Sequence, residues 1–256
     1  MRDVIVIGGG HNGLVAAAYL ARAGLKPLVL ERSDEVGGGA RTGEIAPGFR
    51  SPTLAHAIGP LCASIVEDLQ LARHGFALLT PDPCVFAPAP DGRALVIHRD
   101  ERRTAEAIAR FSARDAARWP GFSRALGALA RFLRSLLEST PPAVNRPGGR
   151  DLWSWLQTGR RFRALGRDDA FRLLRYMPMA VADLTGEWFE TDLLRATVAA
   201  RGVFGTRLGP RSAGTGANLL LAAAWDPAPA GSGMSALGGP GGLARTLADA
   251  ARAAGA

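Results

Sequence analysis

Val4, Ile5, Val6 and Ile7 run directly into Gly8-Gly9-Gly10-His11-Asn12-Gly13, and this junction constrains the fold more than any other feature of the chain. An unbroken run of β-branched residues is the pattern of a parallel strand buried on both faces. Residues 14–23 are helix formers, Gly24 follows as a stop, residues 28–30 form a second apolar run, and Glu31 ends it. Strand, glycine turn, helix, strand and acid, in that order within about 30 residues, make the βαβ unit of a dinucleotide-binding fold.

Each glycine has its own task in such a unit. Gly8 permits the tight turn, Gly10 lets a pyrophosphate approach the backbone without a Cβ in the way, and Gly13 lets the helix pack close to the strand. The helix N-terminus then offers free N–H groups and a positive dipole end to the diphosphate. Glu31 follows the first glycine by 23 residues, where a carboxylate accepts hydrogen bonds from ribose hydroxyls and disfavours a 2′-phosphate. His11 has two readings, a donor near the diphosphate or a tolerated polar loop residue.

NAD and FAD share this fingerprint, so the residues after Glu31 decide between them. Glu31-Arg32-Ser33-Asp34-Glu35-Val36-Gly37-Gly38-Gly39-Ala40-Arg41 resembles the second dinucleotide motif of flavoproteins, an acid followed some six residues later by paired glycines. On these residues the chain resembles the phytoene-dehydrogenase-like FAD-dependent oxidoreductases of the flavin amine oxidase superfamily. Residues 44–51, 186–190, 209–215 and 238–243 are similar to later segments of that family, the last to the glycine-rich turn before the helix that returns to the FAD domain. The resemblance implies that the paired glycines run past the cofactor diphosphate towards the flavin, which implicates Gly37, Gly38, Gly39 and Arg41. Family members often have Gly-Gly-Arg here; this chain has a third glycine and its arginine falls two positions later. With Gly8, Gly10, His11, Asn12, Gly13, Glu31 and Arg32, these form the expected FAD-binding set.

The resemblance also implies a Rossmann-like FAD-binding α/β unit interrupted by an α+β, largely helical substrate domain. The expected boundaries are 1–75 for the first part of the FAD-binding domain, 76–232 for the substrate domain and 233–256 for the return segment. Family members continue well beyond this point, so the expectation is a fragment, a truncated reading frame or one piece of a split enzyme. The implied activity is removal of hydride from a C–H bond of an apolar, carotenoid- or isoprenoid-like substrate. An amine or amino-acid oxidase, and a dinucleotide-binding module without turnover that another chain completes, are the alternatives.

A chain of 256 residues can bury about 70–75% of its unfolded surface, and 47% hydrophobic residues exclude a disordered tail. The net charge of +8 invites a nucleic-acid reading, but 30 of the 31 basic residues are arginine, distributed through most of the chain, and no recognition motif accompanies them. Two cysteines make no disulfide framework and no metal-ligand spacing, which points to a reducing, cytoplasmic setting. The glycines and His11-Asn12 interrupt what would otherwise pass for a secretory h-region.

Beyond the motif, residues 58–74 read as one amphipathic helix, 76–79, 84–87 and 94–98 as a small sheet, and 101–138 as helix broken near Pro120. Helices follow at 152–165, 168–177, 181–189, 191–200, 217–225 and 243–253. His56 reads as a flavin-cavity residue or a structural histidine, and Asp183 and Glu187 as carboxylates on one helix face that pair with arginine. Two arginine-flanked apolar stretches, 118–137 and 153–163, carry the pattern of peripheral membrane contact as well as that of ordinary packing.

Overall fold

The structure is a computed structural model and describes residues 1–55, 57–59, 61–226 and 235–256. The elements run β1 (Val4–Ile7), α1 (His11–Arg22), β2 (Pro27–Leu30), β3 (Thr42–Ala46), β4 (Phe49–Pro52), α2 (Ala63–Asp68), β5 (Leu78–Leu79), β6 (Val85–Pro88), β7 (Ala94–Ile97), α3 (Glu101–Ala109), α4 (Ala113–Leu137), α5 (Gly149–Ala164), α6 (Gly166–Tyr176), α7 (Val181–Trp188), α8 (Asp192–Val203), α9 (Thr215–Trp225), β8 (Ser235–Ala236) and α10 (Gly239–Ala254). They divide into two compact units, Met1–Thr80 with Gly233–Ala256, and Pro81–Ser232. Residues 76–80 therefore go with the first unit, because β5 pairs antiparallel with β8.

In the first unit β1 and β2 are parallel, with Val4 opposite Pro27 and Ile7 opposite Leu30, and α1 crosses between them. Leu14, Ala17, Ala18 and Ala21 recur at helical spacing and make the buried face of α1. Leu14 and Ala18 join Leu243, Leu247, Ala248 and Ala251 of α10, together with Leu69 and Leu71, in one apolar core. The reading of β1 as buried on both faces is corrected: Val4 and Val6 are half-buried, whereas Ile5 is 59% and Ile7 88% exposed. The described sheet has only two strands, and the face turned away from α1 carries no covering layer.

Three further differences have local causes. Residues 58–74 are not one helix; α2 ends at Asp68, Gln70 takes a left-handed φ of 50°, and a 3₁₀ turn spans Leu71–His74. β3 and β4 form a hairpin that the apolar pattern did not announce, because Glu44, Ile45, Ala46, Phe49 and Arg50 are all exposed. The expected break at Pro120 falls instead at residues 110–112, where Ser112 caps α4 by accepting from the Asp115 N–H at 3.1 Å. α4 continues through Pro120, whose neighbours Trp119 and Phe122 are each only 2% exposed.

The second unit pairs the β6–β7 hairpin with the helices α3 to α9. The expected single small sheet is thus two separate pairs, β6–β7 here and β5–β8 in the first unit. Its core gathers Leu126, Leu129 and Leu133 of α4 with Val181, Leu184, Val198, Leu219 and Leu220. Phe122 meets Phe189 edge-on with ring centroids 5.0 Å apart. Asp115, fully buried in this unit, accepts from the Glu190 N–H at 2.9 Å and the Thr191 N–H at 2.8 Å, and so fixes the chain entering α8.

Candidate dinucleotide site

The site is the turn between β1 and α1. Gly8 adopts φ +100°, a conformation L side chains rarely take, and its N–H donates to the Leu30 carbonyl at 2.7 Å. A Cβ on Gly13 would stand 2.4 Å from the Gly8 carbonyl oxygen and 3.2 Å from Cγ1 of Val6, so the absence of a side chain lets α1 lie against the strand. A Cβ on Gly10 would meet nothing within 4 Å. Gly10 is the N-cap of α1, no side chain caps the helix, and its first turn has no acid, so the leading N–H groups face open space with a positive dipole end. His11 and Asn12 are exposed at this end.

The second glycine segment docks on the first. The Gly37 N–H donates to the Gly9 carbonyl at 2.8 Å, and a parallel bridge joins Gly10 to Gly37. Gly37 and Gly38 have φ of +124° and +56°, and a 3₁₀ turn follows over Gly38–Ala40. The two motifs, separate in sequence, thus form one backbone surface.

What supports this surface from behind was not among the expected site residues. The Thr42 hydroxyl accepts from the Gly241 N–H at 3.0 Å, and a Cβ on Gly37 would meet the Ala244 Cβ at 3.1 Å. Gly241 approaches Thr42 so closely that a Cβ there would stand 2.7 Å from its hydroxyl oxygen. The start of α10 therefore braces residues 37–42 across 199 positions of sequence. The run Gly238-Gly239-Pro240-Gly241-Gly242 was the available signal, with α10 beginning at Gly239 rather than at 243.

The NAD(P)-binding Rossmann-like domain family matches residues 6–80, the segment that builds this surface. The chain is 33% identical over 231 residues to pyridine nucleotide-disulfide oxidoreductase domain-containing protein 2 of Rattus norvegicus, covering 85% of this chain and 40% of the relative. It is 31% identical over 188 residues to hydroxyneurosporene desaturase of Rhodobacter capsulatus, covering 64% of this chain and 35% of that one. A solved structure of putrescine oxidase has a similar fold, with a TM-score of 0.51 at 16% identity, covering 97% of this chain and 49% of that one. The chain carries an NAD(P)-binding Rossmann-like domain and is a relative of the pyridine nucleotide-disulfide oxidoreductase domain-containing proteins. It spans less than half the length of the relatives it matches.

In this oxidoreductase relative, Glu31 has a second task besides the one its spacing suggested. Its Oε2 accepts from the Gly9 N–H at 2.7 Å and its Oε1 from the Ser33 N–H at 2.9 Å, so the carboxylate ties the end of β2 to the glycine turn. The hydrogen bonds from Ser33 and Gly9 hold its pKa below the usual carboxylate value, so Glu31 stays an ionised acceptor. Each oxygen retains a lone pair for a ribose hydroxyl. Arg32 is exposed beyond it. Arg41 is half-buried; its carbonyl accepts from the Thr53 N–H and hydroxyl at 2.9 and 3.0 Å, and among the described residues its guanidinium has no hydrogen-bond partner.

His56 lies outside the described residues. His98 Nδ1 is 3.2 Å from Asp82. Glu187 on α7 pairs with Arg175. Among the described residues no cluster of His, Cys, Asp and Glu could hold a metal ion.

Proposed function

We propose that the chain binds FAD and forms the cofactor-binding part of an oxidoreductase that removes hydride from a C–H bond of an apolar, isoprenoid- or carotenoid-like substrate. The docking of Gly37–Gly39 on the Gly8–Gly13 turn carries this reading, because a simple NAD-binding βαβ unit needs only the first of the two segments. In this reading Glu31 holds the adenosine ribose, and the leading N–H groups of α1 with Gly10, His11 and Asn12 hold the diphosphate. Gly37, Gly38, Gly39 and Arg41 line its path. A Cβ on Gly10 would meet nothing within 4 Å, so the backbone there is open to the phosphates. Once bound, the flavin supplies the hydride-accepting chemistry, and the protein supplies orientation and electrostatics.

The similarity to hydroxyneurosporene desaturase supports the apolar substrate class. Putrescine oxidase shares the fold alone, so an amine substrate has no comparable support. A second reading, a dinucleotide-binding unit that turns over only with further polypeptide, draws on one observation: Ile5, Ile7 and Leu30 leave a sheet face 49–88% exposed.

Replacing Glu31 by Ala is expected to weaken FAD binding at least tenfold, because a charged acceptor for the ribose is lost and the Gly9 N–H is released. Titration of the purified variant, followed by flavin fluorescence, measures this. An affinity equal to that of the wild type would remove Glu31 from the site. Since the acceptor role requires the ionised form, the affinity should hold through mildly acidic solution and fall only below the ordinary carboxylate range.

A further inference from the structure

α5 is turned the wrong way round for a helix of a water-soluble domain. Its half-buried positions are Asp151, Ser154, Thr158 and Phe162, spaced three or four apart, so the side facing the protein is polar over its first two turns. Leu152, Trp153, Trp155 and Leu156 point outward and are 42–56% exposed. No residue of α5 is fully buried. The outward face continues into Arg160 and Arg163, and Leu152, Leu156 and Arg163 share one side of the helix. Residues 146–167 hold six arginines and one acid. That acid, Asp151, is occupied locally, accepting from the Ala143 and Gly148 N–H groups at 2.9 and 2.7 Å. α6 adds Phe171 and Leu174, 64% and 67% exposed.

Of the two arginine-flanked stretches, the structure separates one from the other. Leu126, Leu129 and Leu133 of α4 are core residues, and Arg134 pairs with Glu138 at 3.2 Å. α5 instead leaves Leu152, Trp153, Trp155 and Leu156 exposed.

We infer that the outward face of α5 docks on an anionic lipid surface, with Trp153 and Leu156 entering the headgroup layer and Arg160 and Arg163 pairing with lipid phosphates. Aromatic and aliphatic side chains beside arginine suit that boundary, where one end is apolar and the other wet, and the local excess of positive charge selects anionic lipid. No helix among the described residues is long and apolar enough to cross a membrane, so the contact is one of lying on the surface. It rests on different residues from the FAD reading and stands or falls separately.

Flotation of the full chain with vesicles tests it. The chain should float with phosphatidylcholine vesicles containing phosphatidylserine and stay at the bottom with phosphatidylcholine alone. W153S/L156S, both changes at exposed positions, should abolish flotation with circular dichroism unchanged. R160A/R163A should weaken it by about fivefold per charge, and salt should weaken the wild type in the same direction. Absence of flotation with anionic vesicles would overturn the inference, as would flotation undiminished in W153S/L156S. So would capture of nucleic acid or a second protein by this face without vesicle binding.

Discussion

Replacing Gly10 by Ala should leave the thermal unfolding of the chain unchanged while lowering its affinity for FAD by at least tenfold. A methyl at this position meets no protein atom within 4 Å, and Gly10 already has φ −71°, which alanine adopts without strain. The only thing in its path is the diphosphate, which this account places in front of α1. Gly13→Ala is the counterpart with the opposite signature. There the new Cβ would be 2.4 Å from the Gly8 oxygen, so α1 must lift from β1, at a cost of about 1–3 kcal/mol. Thermal unfolding should then fall together with FAD binding. Unfolding and FAD titration on both variants read the contrast, and a Gly10→Ala protein that keeps its FAD affinity would place the diphosphate elsewhere.

Asp115→Ala should cost about 3–5 kcal/mol of unfolding free energy. The carboxylate is fully buried and receives the Glu190 and Thr191 N–H groups, which the methyl of alanine would leave unpaired. Denaturant unfolding measures it, and a loss below about 0.5 kcal/mol would show that water replaces the carboxylate at no cost. Acid should reveal the same group. Burial by itself raises its pKa, but the hydrogen bonds from Thr191 and Glu190, with Arg118 nearby, outweigh burial and leave it below the usual value. A carboxyl depressed in the folded state contributes its full stabilisation above the unfolded pKa, about 4, and loses it as pH falls through the folded value. The wild type should therefore lose stability below about pH 4, and Asp115→Ala should lose less of what remains over that range.

The glycine motif was legible because its constraints are local. Gly8, Gly10 and Gly13 each answer to a turn, an open approach or a close helix contact within a few residues. Glu31 was legible by spacing, but its bonds to Gly9 and Ser33 were not, since a count along the chain says nothing of where an oxygen points. The support from Thr42 and Gly241 lay 199 residues apart and had only a run of glycines as its signal. Helix positions in the second unit were readable from their apolar period, yet which face of α5 turns inward was not. The pattern of residues 153–163 fitted surface contact and ordinary packing alike, and the fold leaves Trp153 and Leu156 exposed. Periodicity identifies a face; the contacts of neighbouring helices decide what that face meets.

The central claim, that the paired glycine segments hold FAD, is tested most directly by titrating the folded, purified 256-residue chain with FAD and, separately, with NAD⁺. Saturable quenching of flavin fluorescence at one FAD per chain is expected, with no competition from NAD⁺ at equal concentration. A chain that is folded by circular dichroism yet takes up no FAD, or from which NAD⁺ displaces it, would contradict the account.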